Sequence, residues 1–173
     1  MIDRFGRWAM QAGSTVETVP DPAGARAAIA RLAQRLSASR VTATREAAGF
    51  APPGALVGGS AVQVADADLG ISVAILAVAE TGSVLLGSQA ADDRLVGMLA
   101  QTHAVLVPAG VLCASLDDAA VALRAMAVRG PGQRLYLTLT TGPSRTADIE
   151  RVLTIGVQGP RAVHLVVVGG GLG

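Results

Sequence analysis

The chain has 173 residues, which suits one domain that buries roughly two thirds of its unfolded surface, so no second core is expected. Apolar residues make up 51% and aromatic residues 2%, so the core must be closely packed Ala, Val and Leu with Phe5, Trp8, Phe50 and Tyr136 as its few large pieces. Net charge is +1 and all 14 basic residues are Arg; the absence of lysine excludes a Schiff-base aldolase, a pyridoxal-phosphate enzyme and a P-loop nucleotidase for this chain acting alone.

The Arg residues are scattered, and with few aromatic rings to stack bases no nucleic-acid partner is expected. The first residues carry Asp3, Arg4 and Arg7 and no apolar segment, unlike a signal peptide. The longest apolar run, Ile71 to Ala79, is far too short for a membrane span, so the cytoplasm is the expected compartment. A single cysteine, Cys113, rules out an internal disulfide and a four-thiolate iron–sulfur cluster. Its neighbours Val111, Leu112 and Ala114 make it a small buried thiol rather than a nucleophile.

In chain order, Ser14 to Val19 reads as a short strand. Asp21-Pro22 then supplies an N-cap followed by proline at the first helical position. The spacing of Ile29, Leu32 and Leu36 predicts a helix from Pro22 to about Ser39, with Arg26, Arg31 and Arg35 on its solvated face. Ala51-Pro52-Pro53-Gly54 is a break, Ala55 to Val57 a short strand and Gly58-Gly59 a turn. Ala74 to Val78 is continuously apolar, as strands buried on both faces are, and Thr81-Gly82 turns the chain into Val84-Leu85-Leu86. A helix around Asp92 to Leu99 leads to the buried strand His103 to Val107, closed by Pro108. Ser115 caps a helix to about Val128, which Gly130-Pro131-Gly132 ends. Leu135 to Thr140 and Ala162 to Val168 are the last strands, and Gly169 to Gly173 a tail.

Strands alternating with helices argue for an α/β domain with a mainly parallel, Rossmann-like sheet of five or six strands flanked by helices. One domain is expected over 1–173, with a strand and helix in 1–40, an α/β core in 41–168 and a tail in 169–173. Ligands of such sheets bind beyond the carboxyl ends of the strands. Glu80, Pro108-Ala109-Gly110 and Thr141 to Arg145 each follow a predicted strand and should share that edge.

Thr141-Gly142-Pro143-Ser144-Arg145-Thr146 joins the strand at Leu135 to Thr140 to a run in which Ile149, Val152, Leu153 and Ile155 fall on helical spacing. A helix starting near Thr146, with Asp148 and Glu150 in its first turn, would present free N–H groups, two hydroxyls and the Arg145 guanidinium to a small anion. Ser144 and Thr146 could equally be plain caps, with Arg145 in solvent.

Glu80 ends an apolar strand, where a partly desolvated carboxylate suits a nucleophile or general base; it could also be a turn acid bonded to backbone amides. His103 opens its strand, away from the expected site, and His164 lies inside the last one, so both read as structural and neither a Ser-His-Asp triad nor a His-based metal site is expected. Asp92-Asp93 and Asp117-Asp118 read as helix caps. Arg145 is the best candidate for ligand charge recognition and Arg94 the second. Gly169-Gly170-Gly171 follows a strand but precedes no helix, so it is no dinucleotide fingerprint.

The run T-G-P-S-R-T-A-D-I-E at Thr141 to Glu150, followed by Gly156-Val157-Gln158-Gly159-Pro160, looks like the closing signature of the LUD-domain family, which includes the lactate utilization C proteins. Ala79-Glu80-Thr81-Gly82-Ser83 is similar to that family's A-E-T-G-T/S motif. The resemblance runs from about Val16 to Val168. Two departures stand out: the family reads G-V-H-G-P where this chain has Gln158, and the amino end is shorter than in many relatives.

The resemblance implies a fold similar to the NagB/RpiA/CoA transferase-like superfamily, in which the Glu80-Thr81-Gly82 turn resembles the E-N-G turn carrying a catalytic glutamate. It also implies a part in oxidising L-lactate to pyruvate beside iron–sulfur partner proteins, with no cofactor in this chain. Catalysis would fall to Glu80. Thr81, Gly82, Gly110, Thr141, Gly142, Pro143, Ser144, Arg145 and Thr146 would bind a small anionic substrate. Two other readings are a stand-alone coenzyme A transferase-like or sugar-phosphate isomerase-like enzyme using Glu80, and a small-anion-binding protein without catalysis.

Overall fold

A computed structural model describes residues 1–127, 135–146, 154–156 and 159–172. In chain order it runs α1 (Ile2–Gln11), β1 (Thr15–Val19), α2 (Pro22–Arg35), β2 (Val41–Ala43), β3 (Leu56–Val57), α3 (Ala61–Val64), β4 (Leu69–Val73), β5 (Leu76–Val78) and β6 (Ser83–Ser88). There follow α4 (Ala91–Leu99), β7 (Thr102–Pro108), β8 (Leu112–Cys113), α5 (Leu116–Ala127), β9 (Tyr136–Thr140), β10 (Arg145–Thr146), β11 (Thr154–Ile155) and β12 (Ala162–Val168).

Six strands pair in the order β1-β12-β7-β4-β2-β3, every pair parallel, which is the α/β fold the element pattern predicts. β12 and β7 lie inside this sheet, and their uninterrupted apolar runs follow from burial on both faces. Successive residues point to opposite faces. Ala104, Leu106, Val166 and Val168 therefore join Ile29 and Leu32 of α2 and Phe50 in one core layer. Val105, Val107, Leu165 and Val167 face the other way, onto Phe5 and Ala9 of α1.

A second, four-stranded sheet has the order β8-β5-β6-β9, with β6 antiparallel to both β5 and β9. It corrects two expectations. The apolar run from Ala74 to Val78 and the strand before Thr141 belong to this smaller sheet. The strand that enters the parallel sheet is β4, whose Gly70 and Ser72 hide its apolar period.

The ends of α2 and α5 follow from side-chain caps. Asp21 accepts from the Gly24 N–H at 2.7 Å, with Pro22 next in the chain. Ser115 and Asp118 exchange bonds at the start of α5. Residues Ile2–Gln11, outside the predicted elements, form an amphipathic helix whose Phe5, Gly6 and Ala9 are buried.

The helix expected from Thr146 is not what the described residues form. Arg145–Thr146 and Thr154–Ile155 are the two strands of an antiparallel pair, Arg145 opposite Ile155 and Thr146 opposite Thr154. The helical spacing of Ile149, Val152 and Leu153, the acids Asp148 and Glu150, the glycine break at 130–132, and Val157 and Gln158 lie outside the described residues.

Candidate functional site

Two signature segments meet at one end of the smaller sheet. β6 lies against β9 with Val84 opposite Thr140, so the residues just beyond, Ser83 and Thr141, come side by side. Their hydroxyls are 2.6 Å apart, and Ser83 Oγ is 2.7 Å from Thr81 Oγ1, a hydroxyl chain that ties Thr81 to Thr141. Glu80, in the turn between β5 and β6, is at the same end.

Both segments clamp the end of α1. A Cβ on Gly82 would lie 2.1 Å from the Ala9 nitrogen, and one on Gly142 would lie 2.2 Å from the Ala12 carbonyl oxygen. Each glycine also has positive φ, +67° and +74°, so no other residue fits there without strain. The Arg145 guanidinium donates to that same Ala12 carbonyl at 2.7 Å, capping the carboxyl end of α1. Ser144 N–H donates to the Pro160 carbonyl at 3.0 Å, just ahead of β12.

These contacts set Thr141 to Arg145 beside the amino ends of β1 and β12. The expectation of a shared carboxyl edge is therefore corrected. Gly110 follows the carboxyl end of β7, at the opposite edge of the parallel sheet, whereas Glu80, Thr81 and Gly82 do come together with Thr141 to Arg145. Pro143 is buried; Thr146 is the second residue of β10.

Glu80 is half-buried, and its Oε2 accepts from the Leu116 N–H at 2.9 Å, a carboxylate on the first free amide of α5. That is the turn-acid arrangement. Asp92 and Asp93 depart from the expected caps: Arg45 bonds Asp93 at 2.6 Å and Asp92 at 3.0 Å, linking α4 to the segment after β2. Cys113 is half-buried, less so than its apolar neighbours suggested, and burial together with Asp118 raises its thiol above the usual range.

A cavity of about 420 Å³ opens between the parallel sheet, the smaller sheet and α4. Thr141, Gly142 and Ser144 form one lip of it, and Glu80 and Arg145 are not among its walls. The floor carries His103, which the sequence places away from any site. It is 1% exposed, its Nε2 is 2.9 Å from Ser72 Oγ, and burial pushes its pKa down to about 4. The imidazole is thus neutral at pH 7, and with Ser72 it offers uncharged donor and acceptor capacity.

Thr44 also lines the cavity, and its hydroxyl is buried with no hydrogen-bond partner among the described residues. Arg94 also lines the cavity, its guanidinium carbon 4.6 Å from the centre of the Tyr136 ring. Of these four only Arg94 is a binding candidate in the sequence, as a cation near a predicted helix start. Ser72 lies on β4, His103 on β7 and Thr44 directly after β2, and only the sheet order unites them.

His164 sits at the other face, bonded through Nδ1 to the Thr15 hydroxyl, with Nε2 3.8 Å from Glu17. Burial and the nearby Arg35 hold its pKa below the ordinary value against the pull of Glu17. Among the described residues no three His, Cys, Asp or Glu side chains gather to hold a metal ion, and no helix is long and apolar enough to cross a membrane.

In fold, the chain is similar to a DUF162 family protein from Deinococcus radiodurans, with a TM-score of 0.72 and 21% identity over 97% of this chain and 96% of that one. In sequence, it is 35% identical over 112 residues to lactate utilization protein C of Macrococcus caseolyticus, covering 64% of this chain and 48% of the relative. Proteins of the same name from Shouchella clausii and Geobacillus kaustophilus are 36% identical over 104 residues and 31% over 102, covering 58% and 59% of this chain. The matches cover 44% and 42% of those relatives, so the chain spans less than half the length of each. The LUD domain model matches residues 58–168, from the Gly58-Gly59 turn through β12, and the chain belongs to the LUD domain family.

Proposed function

We propose that this chain is a lactate utilization protein C-like component that takes part in oxidising L-lactate to pyruvate in the cytoplasm, beside iron–sulfur partner proteins. The observation that carries the reading is the set of relatives of that name at 31% to 36% identity across the matched region. The cavity lip built by Thr141, Gly142 and Ser144 is where a small acid would enter.

Converting lactate to pyruvate releases two electrons and two protons. One cysteine cannot supply the thiolates of an iron–sulfur cluster and these 173 residues carry no dinucleotide fingerprint, so in this reading the electrons leave for a carrier outside them. A stand-alone transferase or isomerase would need Glu80 as nucleophile or base, and its bond to the Leu116 N–H favours a helix cap instead.

Co-expression with an iron–sulfur partner of the same system tests the reading. The expected result is a complex that reduces an artificial electron acceptor with L-lactate, while the isolated chain is colourless and inert. An isolated chain that turns over coenzyme A esters or sugar phosphates would favour the stand-alone enzyme.

A further inference from the structure

The cavity is larger than lactate needs. Water takes about 30 Å³ per molecule in the liquid, so about 420 Å³ holds a dozen or so waters, of which lactate, with roughly six non-hydrogen atoms, displaces only three or four. Its size is that of sites which enclose ligands with a substantial apolar body. Val73, Leu86, Met98 and Pro160 supply apolar wall for such a body.

The polar groups narrow the chemistry. Arg94 lines the cavity without a carboxylate partner among the described residues; its guanidinium is stacked on Tyr136, which leaves its N–H edge for an anion. Asp93 is already taken by Arg45, and Glu46 at the wall has no ion-pair partner among the described residues. With one cation and one unpaired carboxylate on the wall, a singly charged carboxylate is a better match than a phosphate with two charges. One uncharged polar group of the wall is the Ser72 hydroxyl, 2.9 Å from the buried His103 Nε2, and a hydroxyl so held keeps hydrogen-bonding capacity for a ligand oxygen.

We propose that this cavity binds a singly charged hydroxy- or oxo-carboxylic acid with an apolar substituent longer than a methyl group, its carboxylate on Arg94 and its oxygen function on the Ser72 hydroxyl that His103 holds. The choice of acid class rests on the lactate utilization reading; the binding itself is measured on the purified full chain, without partner or turnover, so a failure here leaves that reading to its own test.

Isothermal titration with 3-phenyllactate and 2-hydroxyhexanoate is compared with lactate, with the non-hydroxylated 3-phenylpropionate and hexanoate, and with 3-phosphoglycerate. Both larger hydroxy acids should bind about tenfold or more tighter than lactate and than their non-hydroxylated counterparts, a difference of about one apolar contact surface or one hydrogen bond. Arg94→Gln should weaken them about tenfold or more, as loss of a charged hydrogen bond does. Ser72→Ala should weaken them severalfold, as loss of one neutral hydrogen bond does, while 3-phenylpropionate and hexanoate, which lack the hydroxyl, bind it as they bind the wild type. No binding of either larger acid at millimolar concentration, tighter binding of 3-phosphoglycerate, or affinities that neither substitution changes would overturn the proposal.

Discussion

The guanidinium of Arg145 caps the carbonyl of Ala12 at 2.7 Å, across 133 positions of sequence, so the most charged residue of the T-G-P-S-R segment holds the end of the first helix. Gly142 packs against the same carbonyl and Gly82 against the backbone of Ala9. The two signature segments are thus joined to each other through hydroxyls and to α1 through close backbone packing.

Gly142→Ala is the direct test of that packing. The new methyl would sit 2.2 Å from the Ala12 oxygen in a backbone conformation with φ of +74°. The left-handed conformation alone costs a non-glycine residue about 1–2 kcal/mol, and the clash adds to it. Chemical denaturation should show a loss of at least that size, whereas Arg145→Ala, at an exposed site, should cost less than about 1 kcal/mol and speed amide exchange chiefly in α1. Equal stability of Gly142→Ala and wild type would mean that α1 does not dock as described.

The buried histidines set an acid limit on stability. His103 binds its proton at about 4 in the folded state and near 6.5 when unfolded, so between those values the unfolded chain holds more protons and stability falls as pH drops. His164, also lowered, acts with the same sign. The full His103 effect is on the order of 3 kcal/mol by pH 4. Asp68, lowered by the Arg40 and Ser39 amides, loses its contribution only below the ordinary carboxylate range, so the two effects separate on the pH axis. Urea unfolding between pH 7 and pH 4 should trace the decline, less steeply in His103→Gln; a flat profile over that interval would place His103 in contact with water.

Glu80→Gln separates a helix cap from a catalytic carboxylate. The amide oxygen can still accept from Leu116, so the change removes a charge at the start of α5 and should cost under about 1 kcal/mol. The lactate-dependent activity expected of the proposed complex should survive the substitution. Abolished turnover in a stably folded variant would return Glu80 to the chemistry.

Much of the fold is legible where burial imposes one clear pattern. β12 and β7 are apolar throughout because both faces are covered, and the ends of α2 and α5 carry their own caps in Asp21-Pro22 and Ser115. β4 is less legible, since Gly70 gives way to the backbone of α4 and Ser72 bonds to His103 where apolar side chains would have marked a strand. The Arg145–Thr146 strand resists local reading for a similar reason. Its capping hydroxyls and nearby acids suit a helix start, yet Gly142 and Arg145 are held by α1, a contact that no local window contains. The candidate site was half legible: Thr141, Gly142 and Ser144 do line a cavity, while Ser72, His103 and Thr44 reach it only through the order of β2, β4 and β7.

The most direct measurement of the proposed role is growth on L-lactate as sole carbon source by a strain that lacks this gene and has no paralogue. The account predicts no growth, with recovery when the wild-type chain is supplied in trans. Growth at the parental rate would contradict it.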